Sequence, residues 1–434
     1  MVGERRLVIS AVLITVALGL AACTAPDGRT VSSRPPVSVA PGVATPTSVP
    51  PLPVAPPSAS RLPGTLLVRT ESGGLEVMRP DGSRGTVVVE AEPGSVEVIT
   101  AAWAPDGMRI AWSQLDAASG VAGLMVWSDA AGGHRARVPL PFVPFYVSWD
   151  PTSSRVAFLG GVAPFSLGIL ERTGGQAAAR RLAEGAPFYF SWAPEGDRMV
   201  THVAERTLDT LTLKGASDRL EEGTGPFQAP VWTSDGAALV YAGPDGDLVA
   251  LTLETGKVRS LAPLDGGAYL VVSPDGSRVA FHARGLGETD FSDAGLAQAA
   301  TDLGVRIVPV AGGAEIQATE VPAMAWSWSP DGRRLAILEP VYGGGRIRFR
   351  WVFWSDAGSF DADPFDAGSG LLEESLFFSQ FAQSSSIWAP DSSAIAYPVL
   401  RDDGTPAIEV QPANEGAEAY PVARGVSVVW SPTA

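Results

Sequence analysis

The sequence holds a single cysteine, Cys23, in 434 residues. One thiol per chain excludes a disulfide framework, a Cys-ligated zinc site and cysteine-pair redox chemistry. Lysine is almost as scarce, with only Lys214 and Lys257, and charged residues make up 18% of the chain. That leaves too few charge pairs for a coiled coil or a long amphipathic bundle. No run of Lys or Arg interrupts a formal net charge of −16, so a phosphate backbone or an anionic membrane surface would be repelled. Nucleic acid is not an expected partner. The three histidines, His134, His202 and His282, are widely separated, no G-x-S-x-G elbow is present, and no cofactor is expected. Beyond residue 23 no stretch approaches the ~18 apolar residues of a spanning helix.

Glycine and proline are abundant instead, at 48 and 37 residues, and hydrophobic residues reach 45%. Chain breakers on that scale with an ample apolar fraction point to many short strands joined by tight turns, an all-β protein.

The amino terminus reads as an address. Arg5 and Arg6 precede an apolar stretch from Leu7 to Leu20, and Leu20-Ala21-Ala22-Cys23 follows. This is the layout of a secretory signal peptide, and its last four residues resemble the bacterial lipobox. The resemblance implies cleavage after residue 22 and acylation of Cys23; the alternative is an ordinary signal peptide with an incidental cysteine. Residues 24–63 contain 11 prolines, many Ser and Thr, and no aromatic residue. Such a segment buries too little apolar surface to offset the entropy of ordering it. Together with Cys23 it is expected to be a disordered tether, residues 23–63, reaching up to roughly 120 Å if extended at polyproline spacing. The folded part is expected over 64–434, held to a membrane only through its amino-terminal lipid, on the exported side of the cell envelope.

A repeat decides the fold. "WAPDGMRIAW" begins at Trp103, "WDPTSSRVAF" at Trp149, "WAPEGDRMVT" at Trp192 and "WTSDGAALVY" at Trp232. "VSPDGSRVAF" begins at Val272, "WSPDGRRLAI" at Trp328, "WAPDSSAIAY" at Trp388, and "WSPTA" at Trp430. The spacings are 46, 43, 40, 40, 56, 60 and 42 residues. Each unit reads as a hairpin: Pro has the φ of a type I turn's first central position, Asp caps the turn, and Gly supplies positive φ at the exit. Two further strands follow each hairpin, for example 124–127 with 135–138 and 247–253 with 258–261. Four strands per unit is the count of a propeller blade. Strands at 65–69, 75–79 and 85–89 lack a preceding Trp motif, and 428–431 is a Trp strand lacking followers, so the two termini are expected to build one blade. The expected fold is an eight-bladed β-propeller of roughly 46 residues per blade, with seven blades the alternative.

The WSPDG hairpin followed by "RLAI" or "RVAF" resembles the TolB-type propeller repeat, also found in propeller domains of prolyl oligopeptidase relatives. The resemblance spans 64–434 and implies architecture. The chain lacks the hydrolase domain of the peptidases and the separate amino-terminal domain of TolB, so no TolB partner is implied. Lyases acting on acidic sugars share this kind of fold and use a histidine-lined metal site at the ring centre, which three scattered histidines do not suggest.

Candidate functional residues are weighed against that frame. Asp106, Asp235, Asp275, Asp331 and Asp391 sit in repeat turns, where capping accounts for them. The repeat tryptophans are expected between blades. His202 and His282 fall on second strands as packing residues, and His134 in a surface turn. Two insertions break the spacing: 284–304, with a short helix expected over 293–303, and 355–386, whose Asp356, Asp361, Asp363 and Asp366 match no calcium loop and read as a solvated acidic stretch. The segments leading into the innermost strands are rich in aromatics. Phe145, Tyr146, Phe188, Tyr189, Phe227, Tyr269, Trp326, Phe378 and Phe381 are expected to ring one mouth of the channel, binding a ligand or partner there or packing between blades. The expected function is non-catalytic binding or scaffolding for a protein or an extracellular ligand. The alternative is a propeller enzyme acting on an envelope polysaccharide.

Overall fold

The structure is a computed structural model. It describes Leu52 and residues 55–92, 96–116, 121–129, 135–173, 176–265, 268–282, 304–343 and 346–434. Cys23, most of the proposed tether, His134 and the helix expected over 293–303 lie outside the described residues.

Eight antiparallel blades follow one another along the chain. Blades 1 to 6 begin at Val96, Pro144, Phe188, Val231, Tyr269 and Ala325, and each contains four strands in sequence order. Blade 7 has three strands, Ala394–Leu400, Pro406–Pro412 and Tyr420–Ala423. Its fourth position is a single bridge from Trp388 to Ile395. Blade 8 is the composite one: Ser427–Trp430 pairs with Leu66–Arg69, followed by Leu75–Met78 and Arg84–Val89. The register sets Leu66 opposite Trp430 and Arg69 opposite Ser427. Further bonds fasten the seam, from the Ser431 N–H to the Thr65 carbonyl at 2.8 Å and from the Trp430 indole to the Pro63 carbonyl at 3.0 Å. Pairing the two ends removes the open sheet edge that either would present alone. The packed region reaches upstream of this blade: a single 3-10 turn, Pro57–Arg61, lays the buried Ala59 into the cluster formed by blades 7 and 8.

The repeat turn explains each hairpin. The side chain of Asp106, Asp235, Asp275, Asp331 or Asp391 accepts the N–H two residues on, at 2.9–3.0 Å. The next residue takes positive φ, 68° at Gly107 and 74° at Gly276. Where glycine is missing, Ser153 and Ser392 adopt the same backbone at 58° and 64°. Their hydroxyls accept the backbone N–H of Asp106 and Asp331 in the neighbouring blades at 3.0 and 3.1 Å, a bond that helps hold the unfavourable conformation.

The repeat tryptophans join blade to blade. Trp149 donates its indole N–H to the carbonyl of Ala102, Trp192 to Ser148, Trp232 to Ser191, Trp328 to Val271 and Trp388 to Ser327. Each acceptor is the residue just before the motif's first position one blade back, so the innermost strands form a ring about the axis. The apolar core fills the wedges between blades, as where Trp103, Ile110 and Trp112 of blade 1 meet Leu67, Leu75 and Val77 of blade 8.

Candidate functional site

Innermost strands run from one end of the channel to the repeat turns at the other, and their leading ends carry the aromatic residues. The chain fills that end itself. Between blades 6 and 7 it forms two short helices, α1 (Ser369–Ser375) and α2 (Phe378–Phe381), then returns to Trp388. Leu371 and Ser375 of α1 and Phe378 of α2 are all buried. Gly370 permits the close approach to blade 8, since a Cβ there would lie 1.7 Å from the Val426 carbonyl oxygen.

The blades grip this segment from several directions. From blade 2, the Tyr146 hydroxyl donates to the Gln380 carbonyl at 2.9 Å, and its ring meets Phe381 edge-on at 5.2 Å. From blade 3, Phe190 exchanges two backbone hydrogen bonds with the Gln380 carboxamide. Ahead of blade 4, Gln228 donates to the Leu376 carbonyl at 2.9 Å and accepts from the Ser379 hydroxyl at 2.8 Å. Phe378 sits between Tyr269 of blade 5, at 5.5 Å, and Trp326 of blade 6, at 4.3 Å. From blade 8, the Ser427 hydroxyl donates to Glu374 at 2.9 Å.

The aromatic residues expected at the mouth thus divide. Tyr146, Tyr269 and Trp326 are brought together around the segment, and Phe378 and Phe381 belong to the segment itself. Phe188 is buried in the wedge between blades 2 and 3, and Phe145 packs edge-on against Phe165 at 5.3 Å. Tyr189 and Phe227 stand on either side of His202, the Phe227 ring stacked on the imidazole at 3.7 Å.

Electrostatics at this end follow from burial. His202, bonded to the Thr224 hydroxyl at 3.1 Å, is lowered to about 4 because its charged form would lose its water. His282, fully enclosed beside Trp326, is lowered to about 3 for the same reason. Glu374 moves the other way: desolvation raises its carboxyl to about 7 against the opposing bond from Ser427 and the charge of Arg69. The acidic stretch of the insertion is tied down by arginines, Asp356 to Arg278, Asp361 to Arg350 and Asp366 to Arg346. Among the described residues no group of three or more His, Cys, Asp or Glu is placed to hold a metal ion.

Gln228, Gln380, Ser379 and Glu374 are the contacts that sequence reasoning missed. Their polar character hid them.

No protein-family model matches the sequence, and no curated protein matches it. Solved structures do. One described as the eukaryotic initiation factor is 11% identical with a TM-score of 0.50, covering 85% of this chain and 98% of that one. An oligogalacturonate lyase from Vibrio parahaemolyticus is 15% identical at a TM-score of 0.44, covering 64% and 76%. TolB from Acinetobacter baumannii is 14% identical at 0.37, covering 77% and 82%. At these identities the likeness is one of fold alone.

Proposed function

We propose that this chain is an exported, lipid-anchored propeller of the cell envelope that works by binding a protein or extracellular ligand. One observation carries the binding part. The groups converging on the aromatic end of the channel are a phenol, a carboxamide and aromatic faces, and what they hold is peptide, gripped by its carbonyls and its phenylalanine rings. Such groups orient and retain a ligand. The anchoring part rests on the lipobox-like Leu20-Ala21-Ala22-Cys23 and the proline-rich stretch behind it.

The test has two arms. Metabolic labelling with a fatty acid should mark the wild-type chain and leave Cys23→Ser unlabelled, and equal labelling of both refutes the anchor. Affinity capture with the full chain from detergent-solubilised envelopes should recover a partner that survives high salt. Recovery of none, together with release of unsaturated products from oligogalacturonate or another acidic polysaccharide, would replace binding by the enzymatic reading.

A further inference from the structure

We propose that residues 369–386 act as an intramolecular pseudo-ligand, and that the mouth they occupy is a site for a partner protein's helical turn bearing two aromatic residues three positions apart. The inference rests on the binding reading above and names the partner's chemistry.

The seat belongs to the blades. Tyr146, Gln228, Tyr269 and Trp326 come from four different positions around the ring, so the site is carried by the propeller framework. What it recognises is legible from the segment now in it. Two main-chain carbonyls, of Leu376 and Gln380, meet the Gln228 amide and the Tyr146 hydroxyl at 2.9 Å each. Phe378 and Phe381, one helical turn apart, enter two aromatic clefts. None of these contacts requires that the segment be covalently part of this chain.

The segment is also poorly made as permanent core. Its helices have seven and four residues and no side-chain cap at either start, too short to hold themselves together without the seat. A pocket of about 50 Å³, partly open to solvent, lies against it, lined by Glu374, Phe378, Trp326 and Trp351 among others, and the Trp351 indole N–H has no hydrogen-bond partner. Leu372 and Leu376 on its outer side are 39% and 38% exposed. Glu374, with its carboxyl raised to about 7 by burial, is held against the channel wall at a cost once it ionises. Each of these features lowers the free energy of local opening relative to global unfolding.

Because the segment competes from within the chain, it reduces the apparent affinity for an external peptide by the fraction of molecules in which the seat is free. Weakening it must therefore strengthen external binding. The first measurement is hydrogen exchange on the wild-type full chain. Amides of 378–386 should exchange through a local opening, faster than those of the adjoining strand Phe188–Trp192. Exchange of both only on global unfolding overturns the proposal.

The second is a fluorescence-anisotropy titration of a labelled synthetic peptide of sequence 369–386. The full chain carrying Gln380→Ala and Phe381→Ala should bind it at least tenfold more tightly than wild type. A variant that melts cooperatively and binds no better refutes the proposal, and if the variant fails to fold, the exchange result on wild type decides. The peptide is the chain's own, so these results stand apart from partner capture. Peptide binding with no partner recovered and with unsaturated products released from an acidic polysaccharide would leave the pseudo-ligand in place and remove the envelope-binding reading.

Discussion

The carboxamide of Gln380 accepts the backbone N–H of Phe190 at 3.0 Å and donates to its carbonyl at 3.0 Å. That is the pairing a neighbouring β-strand would offer, supplied by one side chain. An innermost strand has a free edge toward the axis, and its unpaired backbone groups need water or a substitute. Gln380 is the substitute for blade 3.

Replacing it tests this directly. Gln380→Leu keeps the apolar stem and leaves two enclosed backbone groups without partners, at a cost of about 2–4 kcal/mol. Chemical denaturation should show that loss. An unchanged midpoint would mean that water takes over both bonds.

A second test concerns Ser392, held at φ 64° with its hydroxyl accepting the Asp331 N–H. Ser392→Gly relieves the strained backbone and loses the bond, so the two effects offset each other to within about 1 kcal/mol. Ser392→Ala loses the bond and keeps the strain, and should be less stable than the glycine variant by about 1 kcal/mol. Equal stability of the two variants in thermal melts would show that the backbone there is unstrained.

The eight blades were legible because the Trp-x-Pro-Asp-Gly unit is local. Trp103 or Asp331 needs only its neighbours in sequence to define a hairpin, and the recurrence then counts the blades. The composite blade was legible too, since 428–431 had a motif without followers and 65–89 had followers without a motif. The filled channel was not. By local pattern Phe378 and Phe381 lead into an inner strand, whereas they lie on α2, because local pattern does not reveal that a segment turns inward across the ring. Its partners at Tyr146, Phe190 and Gln228 lie about 150 to 235 residues away. Blade 7 bears the consequence: the chain leaves the channel so late that the innermost position holds only the short bridge around Trp388, with the Ala396 N–H donating to the Ile387 carbonyl and the Ala389 N–H to the Ala394 carbonyl.

Closure through blade 8 yields a third expectation. Removing residues 427–434 deletes a strand that pairs with Leu66–Arg69 and also the Ser431 and Trp430 bonds across the seam. The truncated chain should melt far lower and aggregate through the exposed edges. Removing 24–52 should leave the melting temperature unchanged, because Ala59 and the turn around it are retained. Calorimetry with light scattering separates the two truncations, and similar behaviour would show that the ends do not close the ring.

Stability should respond to pH in two opposing ways. Glu374 ordinarily titrates near 4.5 and is raised to about 7 in the folded chain. Between those values the folded state keeps a proton that the unfolded state has lost, so this group's contribution falls as pH rises, by at most about 3 kcal/mol at ~1.4 kcal/mol per unit. Glu373 beside it is also raised by burial and acts in the same direction. His202 and His282 are lowered from 6.5 to about 4 and about 3. As pH falls below 6.5 the unfolded chain takes up protons that these enclosed rings refuse, and stability falls on acidification. Glu374→Gln keeps an acceptor for the Ser427 hydroxyl and removes the ionisation. It should be increasingly stabilising relative to wild type from pH 5 to pH 8, by about 2 kcal/mol at the upper end. His282→Phe, which also removes two ring nitrogens without partners, should gain most over wild type below pH 6. Unfolding free energies at four pH values decide both. A Glu374→Gln difference that does not vary with pH would mean that the carboxylate is already ionised in its seat against blade 8.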